Sequence, residues 1–312
     1  MNLNLLLTKL ARAAFTLWLV VTLAFVVLHA SGDPIEALVG DQASQEVIDR
    51  YRAKFGFDRP LWEQYLTYFS GLAGGDFGIS LSDRTPTLEL IAAALPSTLR
   101  LAAASFGLGL LLGIPLGIVS ALYRNSALDR FVMGFAVFGF SIPNFFLGIL
   151  LILLFSLHLR LLPSAGGETA WHLILPAITL GTHFAGTFAR FTRSSMLEFL
   201  NKQFMTAARA KGVPRRRRIL RHALPNAAIP IVTIVGLKLG DLVAGSIVVE
   251  TVFAWPGIGR LLVNAVSSRD LALVQAILIL VACSMVLVNL AVDLLYGVID
   301  PRIRASAASD KE

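Results

Sequence analysis

Long apolar runs separated by charged segments are the dominant pattern of this chain. Five runs of 20 to 29 residues contain no Asp, Glu, Lys or Arg: 13–32, 101–123, 131–159, 169–189 and 271–292. A sixth run, about 227–250, has only Lys238 and Asp241 in its interior. About 20 apolar residues in an α-helix cross a hydrocarbon core of about 30 Å. The pattern therefore predicts six transmembrane helices.

Composition excludes an ordinary soluble domain. Hydrophobic residues make up 56% of the chain and charged residues 15%, against about 25% charged in soluble domains. Lys9 and Arg12 precede the first run, as in a signal peptide, but the run is long for one. Leu28-His29-Ala30 is also a poor cleavage site, so we interpret the run as a retained helix. With Cys283 as the single cysteine, an intramolecular disulfide is impossible.

The distribution of charge predicts an orientation. Residues 190–221 carry ten basic side chains and one acidic one, a net charge of +9. Residues 33–95 carry five basic and ten acidic side chains, a net charge of −5. Because positively charged loops stay in the cytoplasm, 190–221 and both termini are predicted to be cytoplasmic and 33–95 to lie outside. Topology thus explains the basic patch without a nucleic-acid partner.

This topology predicts an all-α, polytopic membrane protein in four parts. They are the N-terminus with the first transmembrane helix (1–32), an outer segment (33–95), a five-helix membrane core (96–300) and a cytoplasmic tail (301–312). In the outer segment, a helix is predicted from Ser44, its cap, to Phe55, with Gly56 just beyond its end. The segment has few apolar residues for a core of its own, so we expect it to pack on the outer ends of the spans.

Small residues and prolines mark the predicted spans. Glycines or alanine recur every fourth residue in the second and fifth spans, at Gly109, Gly113 and Gly117 and at Gly236, Gly240 and Ala244. Such faces allow close helix packing in lipid. Prolines that can kink a helix lie in or beside the spans, at Pro115, Pro143, Pro176, Pro225 and Pro230.

The loop 198–226 between the fourth and fifth spans has its own helical pattern. Thr206 to Lys211 favours a short helix that Gly212 would end and after which Pro214 would start another. Ala207, Ala208, Ala210 and Gly212 would give it a smooth face of small residues. Two interpretations stay open: the helix enters a groove on a partner, with Arg215 to Arg218 adding charge, or it lies on the membrane surface.

Four polar residues within the spans are candidates for a translocation pathway. Lys238 and Asp241 are three residues apart on the fifth span and can face each other. They either line a pathway or neutralise each other as a packing pair, and we favour the pair. Asn144 and His183 are the other candidates, although a packing role suits His183 better. Glu250 and Asp293 are expected to reach the interface at span ends. The five histidines show no metal-ligand spacing, so no metal site is predicted.

Eight short sequence motifs, spread along the chain, carry a resemblance to a known family. In chain order they are Gly32-Asp33-Pro34, Phe55-Gly56-Phe57-Asp58-Arg59-Pro60, Gly75-Asp76-Phe77-Gly78-Ile79-Ser80, Ser141-Ile142-Pro143-Asn144-Phe145-Phe146, Arg193-Ser194-Ser195-Met196-Leu197-Glu198, Ala208-Arg209-Ala210-Lys211-Gly212, Val249-Glu250-Thr251-Val252-Phe253-Ala254-Trp255-Pro256-Gly257-Ile258-Gly259 and Asp300-Pro301-Arg302-Ile303-Arg304. Together they resemble ABC importer permeases of the dipeptide/oligopeptide/nickel family, specifically the first of its two permease types.

The loop also resembles the coupling loop of these permeases, whose pattern is Glu-Ala-Ala, three residues, Gly, and later Leu-Pro. Thr206, Ala207, Ala208, Gly212, Leu224 and Pro225 occupy those places. Thr206 replaces the acidic residue, so no role of that carboxylate is carried over. The resemblance makes Thr206, Ala207, Ala208, Ala210, Lys211, Gly212, Arg215, Leu224 and Pro225 the expected ATPase-coupling residues.

The resemblance implies an importer of several subunits in the bacterial inner membrane. Its expected partners are a homologous second permease, two ATPase subunits and a periplasmic solute-binding protein. The chain has no Gly-x-x-x-x-Gly-Lys-Ser/Thr phosphate loop, so it is not expected to be an enzyme or to bind a cofactor; ATP and magnesium would bind to the ATPases. Short peptides are the expected substrate, with nickel or glutathione as alternatives. A stand-alone secondary transporter is the alternative from another class.

Overall fold

The computed structural model describes residues 3–30, 35 and 44–299, and within them the chain is helical. An isolated bridge between Ile79 and Pro86 is the sole β-type pairing in that part of the chain. The helices are α1 (Leu3–Ala30), α2 (Gln45–Phe55), α3 (Leu61–Ala73), α4 (Thr87–Leu122), α5 (Ala127–Ser141), α6 (Asn144–Leu151), α7 (Trp171–Leu200), α8 (Gln203–Ala210), α9 (Arg215–Arg218), α10 (Leu224–Val252), α11 (Ile258–Ser267) and α12 (Leu271–Ile299).

Three helical stretches are long and apolar enough to cross a membrane: Thr87–Leu122, Arg215–Gly240 and Leu271–Val292. A fourth span results if the bent pair Ala127–Ser141 and Asn144–His158 crosses as one unit. By length and composition, these stretches are three, or four, candidates for the six predicted spans. Residues 13–30 of the first predicted span lie on α1, and residues 171–189 of the fourth lie on α7; the membrane crossing of both spans stays a prediction.

The third predicted span is broken rather than continuous. Ser141 ends α5, Asn144 begins α6, and the two helices meet at a bend of 105°. Ile142 between them is extended, with φ −78° and ψ 127°. Pro143 causes the break because its ring disfavours the helical conformation of the preceding residue and it has no N–H to donate. A π-helical segment, Ile152–His158, follows α6.

The helix containing the fifth predicted span begins earlier than predicted. Pro214 caps α9, and a π-helical turn, Ile219–Ala223, joins α9 to α10 without a break. Leu224 and Pro225 therefore lie inside a continuous helix instead of a loop. The wider turn directly precedes Pro225, whose ring would clash with the carbonyl four residues earlier in a regular α-helix.

The chain forms two compact units, the first consisting of Met1–Pro96 and Pro256–Val286. In this unit, α3 is hydrogen-bonded to α1 by Thr22 and Tyr65, whose hydroxyls lie 2.8 Å apart. Asp270 is buried, caps α12 through the Leu273 N–H (3.2 Å) and accepts a 2.5 Å hydrogen bond from Ser80. The segment 33–95 thus packs on α1 and on the start of α12; that these are the outer ends of spans stays a prediction. Its helix α2 has the predicted bounds, although the Ser44 side chain makes no capping hydrogen bond.

The second unit consists of Ser97–Trp255 and Leu287–Glu312 and has the close helix packing that its glycines predict. A methyl group added at Gly109 would lie 2.5 Å from Phe184 Cβ, and one at Gly113 would lie 2.7 Å from the Ala185 carbonyl oxygen. At Gly117 it would lie 2.5 Å from the Ala189 carbonyl oxygen. The glycine face of α4 therefore packs directly on the backbone of α7.

The corresponding face of α10 is less uniform. A methyl group at Gly236 would lie 3.0 Å from Val292, whereas none of the described atoms lies within 4 Å of one at Gly240. The side chain of Ala244, the third member of that predicted face, lies outside the described residues.

We expect Gly113→Ala to destabilise the chain by about 1–3 kcal/mol, because the added methyl group overlaps a backbone carbonyl that cannot rotate away. Gly107→Ala, on the same helix with nothing within 4 Å, is the matched control. It should be neutral or stabilising, since alanine favours helix by about 0.5–1 kcal/mol over glycine. Thermal unfolding of both variants in detergent measures the difference, and equal midpoints would contradict the close packing of α4 and α7.

Candidate functional site

The short helix α8 packs on the rest of the second unit through one buried side chain, that of Met205. Met205 is only 7% exposed and packs with Ala121, Met196 and Ala223. On the same helix, Thr206, Ala207 and Ala210 are exposed and Ala208 is partly buried. Most of the small-residue face predicted from the sequence is thus exposed on the protein surface, while the buried Met205 holds the helix to the rest of the unit.

Gly212 ends α8 in the way its position predicts. Its φ of +74° is left-handed, a conformation that side chains other than glycine rarely adopt. The Gly212 N–H donates to the Arg209 carbonyl (3.0 Å) and the Val213 N–H to the Ala208 carbonyl (3.1 Å). This pair of bonds is the Schellman motif that closes helices at glycine. A methyl group at Gly212 would meet nothing within 4 Å, so the backbone conformation rather than space requires glycine.

Basic side chains surround a small cavity behind α8. The cavity, about 220 Å³ in volume, is lined by Thr206, Arg209, Arg215 and Arg218 together with apolar residues. Arg215 donates to the Leu122 carbonyl (3.3 Å), while the buried Arg218 Nε has no hydrogen-bond partner among the described atoms. Since Thr206 replaces the acid of the related pattern, position 206 supplies no carboxylate to these arginines. Lys211, just after the helix, is exposed.

A buried ion pair holds the helix that leads into α8. Asp129, in the first turn of α5, is 3% exposed and accepts two hydrogen bonds from Arg193 of α7, at 2.7 and 2.8 Å. It also accepts from Ser120 of α4 (2.5 Å) and from the Asn125 N–H (2.8 Å). Such bidentate, charge-assisted contacts fix geometry strongly. One carboxylate thus joins α4, α5 and α7 near the start of the loop.

This pair was not predicted from the sequence, where Arg193 entered as a topology-setting charge and as part of the segment Arg193 to Glu198. The available signal was Asp129 itself, an acid within a basic loop, three residues after Ser126. The Asp129 N–H donates to Ser126 Oγ (3.2 Å), which makes Ser126 the cap of α5.

The Glu250 side chain is buried, which differs from the position predicted from the sequence. Its expected position at the membrane interface is wrong, because the side chain is 0% exposed and accepts a hydrogen bond from Thr98 Oγ1 at 2.8 Å. The turn after α10 is hydrogen-bonded to the backbone of Glu250 and of α4: the Trp255 backbone N–H donates to the Glu250 carbonyl (2.8 Å), and its Nε1–H donates to the Ser97 carbonyl (2.9 Å). The Asp293 side chain lies outside the described residues.

The predicted pathway residues are all in the second unit. Lys238 is partly buried on α10, and the side chain of its proposed partner Asp241 lies outside the described residues. His183 is partly buried on α7, with its ring 5.7 Å from that of Phe184. Asn144 begins α6, and its amide nitrogen is 3.9 Å from where a methyl group on Gly245 would lie. Asn144 therefore faces α10.

The described part of the chain holds no cluster of three or more His, Cys, Asp or Glu side chains suited to a metal ion.

Two family profiles together match nearly the whole chain. Residues 113–305 match the family described as "Binding-protein-dependent transport system inner membrane component". Residues 2–102 match the N-terminal family of such membrane components.

Curated relatives and a solved structure agree with these matches. The chain is 43% identical over 303 residues to the glutathione transport system permease protein GsiC of Escherichia coli (strain K12), which covers 97% of this chain and 99% of the relative. The GsiC protein of Shigella dysenteriae serotype 1 (strain Sd197) gives the same values. A chain of the MetNI methionine ABC transporter, in an inward-facing conformation, shares the fold with a TM-score of 0.59 at 22% identity, over 69% of this chain and 98% of that chain.

We expect Asp129→Asn to destabilise the chain by about 3–5 kcal/mol, because it leaves the Arg193 charge largely buried without its partner. Glu198→Gln is the control: its ion pair with Lys202 (3.0 Å) is exposed, and such pairs contribute about 0–1 kcal/mol. Thermal unfolding of the double variant Asp129→Asn, Arg193→Met should lie closer to that of the parent than the sum of the single changes predicts. Additive effects would show that the pair is not a unit.

Proposed function

Because the chain belongs to the family of binding-protein-dependent transport system inner membrane components, and is a permease subunit of such an importer, we propose that it imports short peptides in an ATP-driven assembly. The relatives at 43% identity are glutathione permeases, and glutathione is a tripeptide. We therefore propose peptides of two or three residues, glutathione among them, as substrates.

The proposed assembly joins this chain to a homologous second permease, two ATPase subunits and a periplasmic solute-binding protein. In it the chain crosses the bacterial inner membrane six times with both termini in the cytoplasm, and 33–95 lies in the periplasm. The charge difference between 190–221 and 33–95 supports this orientation. ATP and magnesium bind to the ATPase subunits, and this chain contributes the pathway.

The observation that carries the coupling proposal is the exposed small-residue face of α8. A helix with Ala207, Ala210 and Gly212 on its surface can approach a partner's groove closely, as helix-in-groove recognition requires. Met205 holds α8 to the rest of the second unit, so that a displacement of α8 would also move the helices on which it packs. Closure of the two ATPases would displace α8.

Two connections lead from α8 into the membrane. On one side α7 runs directly into the loop and is fixed by Asp129 and Arg193. On the other, α9, the π turn and α10 form one continuous helix from Arg215 to Val252, which includes Leu224 and Pro225. A displacement of α8 would therefore move α7 and α10 as stiff bodies and switch access to the pathway.

The pathway itself is proposed to pass Lys238, Asp241, His183 and Asn144. The packing of Asn144 towards α10 supports a place for α6 beside this pathway. For Lys238 and Asp241 two roles stay open, lining of the pathway or a mutually neutralising packing pair, and we favour the packing pair.

The function is tested with the complete assembly in proteoliposomes. We expect uptake of radiolabelled glutathione and trialanine that needs ATP, the binding protein and the ATPase subunits together. Nickel ions serve as the competing substrate. Uptake of peptide by this chain alone, driven by an ion gradient without ATP, would contradict the proposal and favour a secondary transporter.

Coupling is tested by Gly212→Val, which we expect to preserve assembly and ATP hydrolysis but to reduce peptide uptake at least about tenfold. The branched side chain disfavours the left-handed backbone by about 1–2 kcal/mol and projects from the end of the docking helix. Gly75→Val is the matched control: Gly75 has φ +81° and likewise nothing within 4 Å, but lies in the outer segment. The ratio of peptide transported to ATP hydrolysed is the readout, and an unchanged ratio for Gly212→Val would overturn the docking role of α8.

A further inference from the structure

We propose that a cavity in the unit formed by Met1–Pro96 and Pro256–Val286 binds a zwitterionic short peptide, at a site separate from the coupling loop and from the polar residues of the spans. The class of ligand rests on the proposed function, while the site rests on the geometry below.

The cavity has the size and walls of a small-molecule site. Its volume is about 490 Å³, within the range of about 300–1,000 Å³ that is usual for ligand pockets. The end of α2, one face of α3 and the first turns of α12 line it, and α1 contributes Phe25 and His29. Phe55, Phe57 and Phe77 supply apolar wall, which is the main component of most ligand sites.

Two residues of the cavity lining each have a buried polar atom without a partner. Gln275 of α12 is 4% exposed, and its Nε2 makes no hydrogen bond among the described atoms; the same holds for the buried Tyr68 hydroxyl of α3. A buried polar group without a partner is unfavourable, so both are unusual in a folded protein. Burial also raises the pKa of Tyr68, which keeps its hydroxyl protonated and able to donate. A carbonyl or carboxylate oxygen of a ligand would satisfy either group once its side chain turned towards the cavity.

The residues that line this cavity include charged side chains of both signs. Lys54 and Arg59 are exposed cations among its lining residues, and neither forms an ion pair within the described chain. Asp76 is the one acid of the lining; its Oδ1 accepts the Gly78 N–H at 2.8 Å. A ligand with a carboxylate and an ammonium group would match both signs, and the amide groups of a peptide would serve Tyr68 and Gln275. A simple anion or an apolar molecule would use only part of this set.

The experiment measures binding of radiolabelled trialanine to the complete permease–ATPase assembly in detergent, without binding protein and without ATP. Tyr68→Phe and Gln275→Leu should each weaken binding about 3- to 10-fold, the equivalent of one hydrogen bond of about 0.5–1.5 kcal/mol. Tyr51→Phe and Gln45→Leu, which make the same changes on α2 outside the cavity lining, should bind as the parent does. N-acetyl-trialanine amide, which has neither charge, should not compete.

Three outcomes separate this proposal from the proposed function. If the parent assembly imports peptide but Tyr68→Phe and Gln275→Leu bind it unchanged, the cavity assignment is wrong and the importer function stands. Equal competition by N-acetyl-trialanine amide would also overturn the zwitterion assignment. If trialanine binds with the predicted losses but is never transported, the cavity stands and peptide import fails.

Discussion

The direct contact of α4 and α7 is the constraint on which the second unit depends. Helices in lipid gain little hydrophobic free energy from association, so their contact relies on close van der Waals packing. Gly109, Gly113 and Gly117 bring one face of α4 onto the α7 backbone, where no larger side chain would fit. Phe184 and Phe188 of α7 fill the space beside this contact together with Phe106 of α4, with ring centres 5.5 Å apart in both pairs.

The same packing determines where the loop 198–226 lies. Once α7 is fixed along its length, Arg193 reaches Asp129, and this pair ties the ends of α4, α5 and α7 together. The loop then begins at the end of α7. Met205 of α8 packs into the apolar cluster that contains Ala121, Met196 and Ala223. The exposed side of α8 is thereby presented on a stiff support, and the continuous helix after Pro214 provides the return connection. Transmission of force in a transporter requires this kind of packing, because a loosely held loop would move without moving the spans.

Local signals in the sequence predicted local structure well. Gly212 and Gly56 both end helices in the left-handed conformation, and the glycines of α4 pack as their spacing implies. Features that depend on a partner distant in sequence were missed. Asp129 and Arg193 are 64 residues apart, and Glu250 and Thr98 are 152 apart, so no periodicity relates them. Hydropathy also could not distinguish a straight span from the bend at Pro143, because the helices on both sides are apolar. The orphaned donors of Tyr68 and Gln275 are evident only once the helices are packed.

Cysteine cross-linking tests most directly whether α8 is the element that meets the ATPase. The variants would carry Cys283→Ser and one new cysteine, at Ala210 on the exposed face of α8 or at Ala170, an exposed residue preceding α7 that the predicted topology places outside the cytoplasm. A short thiol-to-amine cross-linker is added to the assembly in membranes, and the products are identified by mass spectrometry. The account predicts an adduct with the ATPase subunit from Ala210→Cys and none from Ala170→Cys. Failure of Ala210→Cys to reach the ATPase, in an assembly that still transports, would contradict the account.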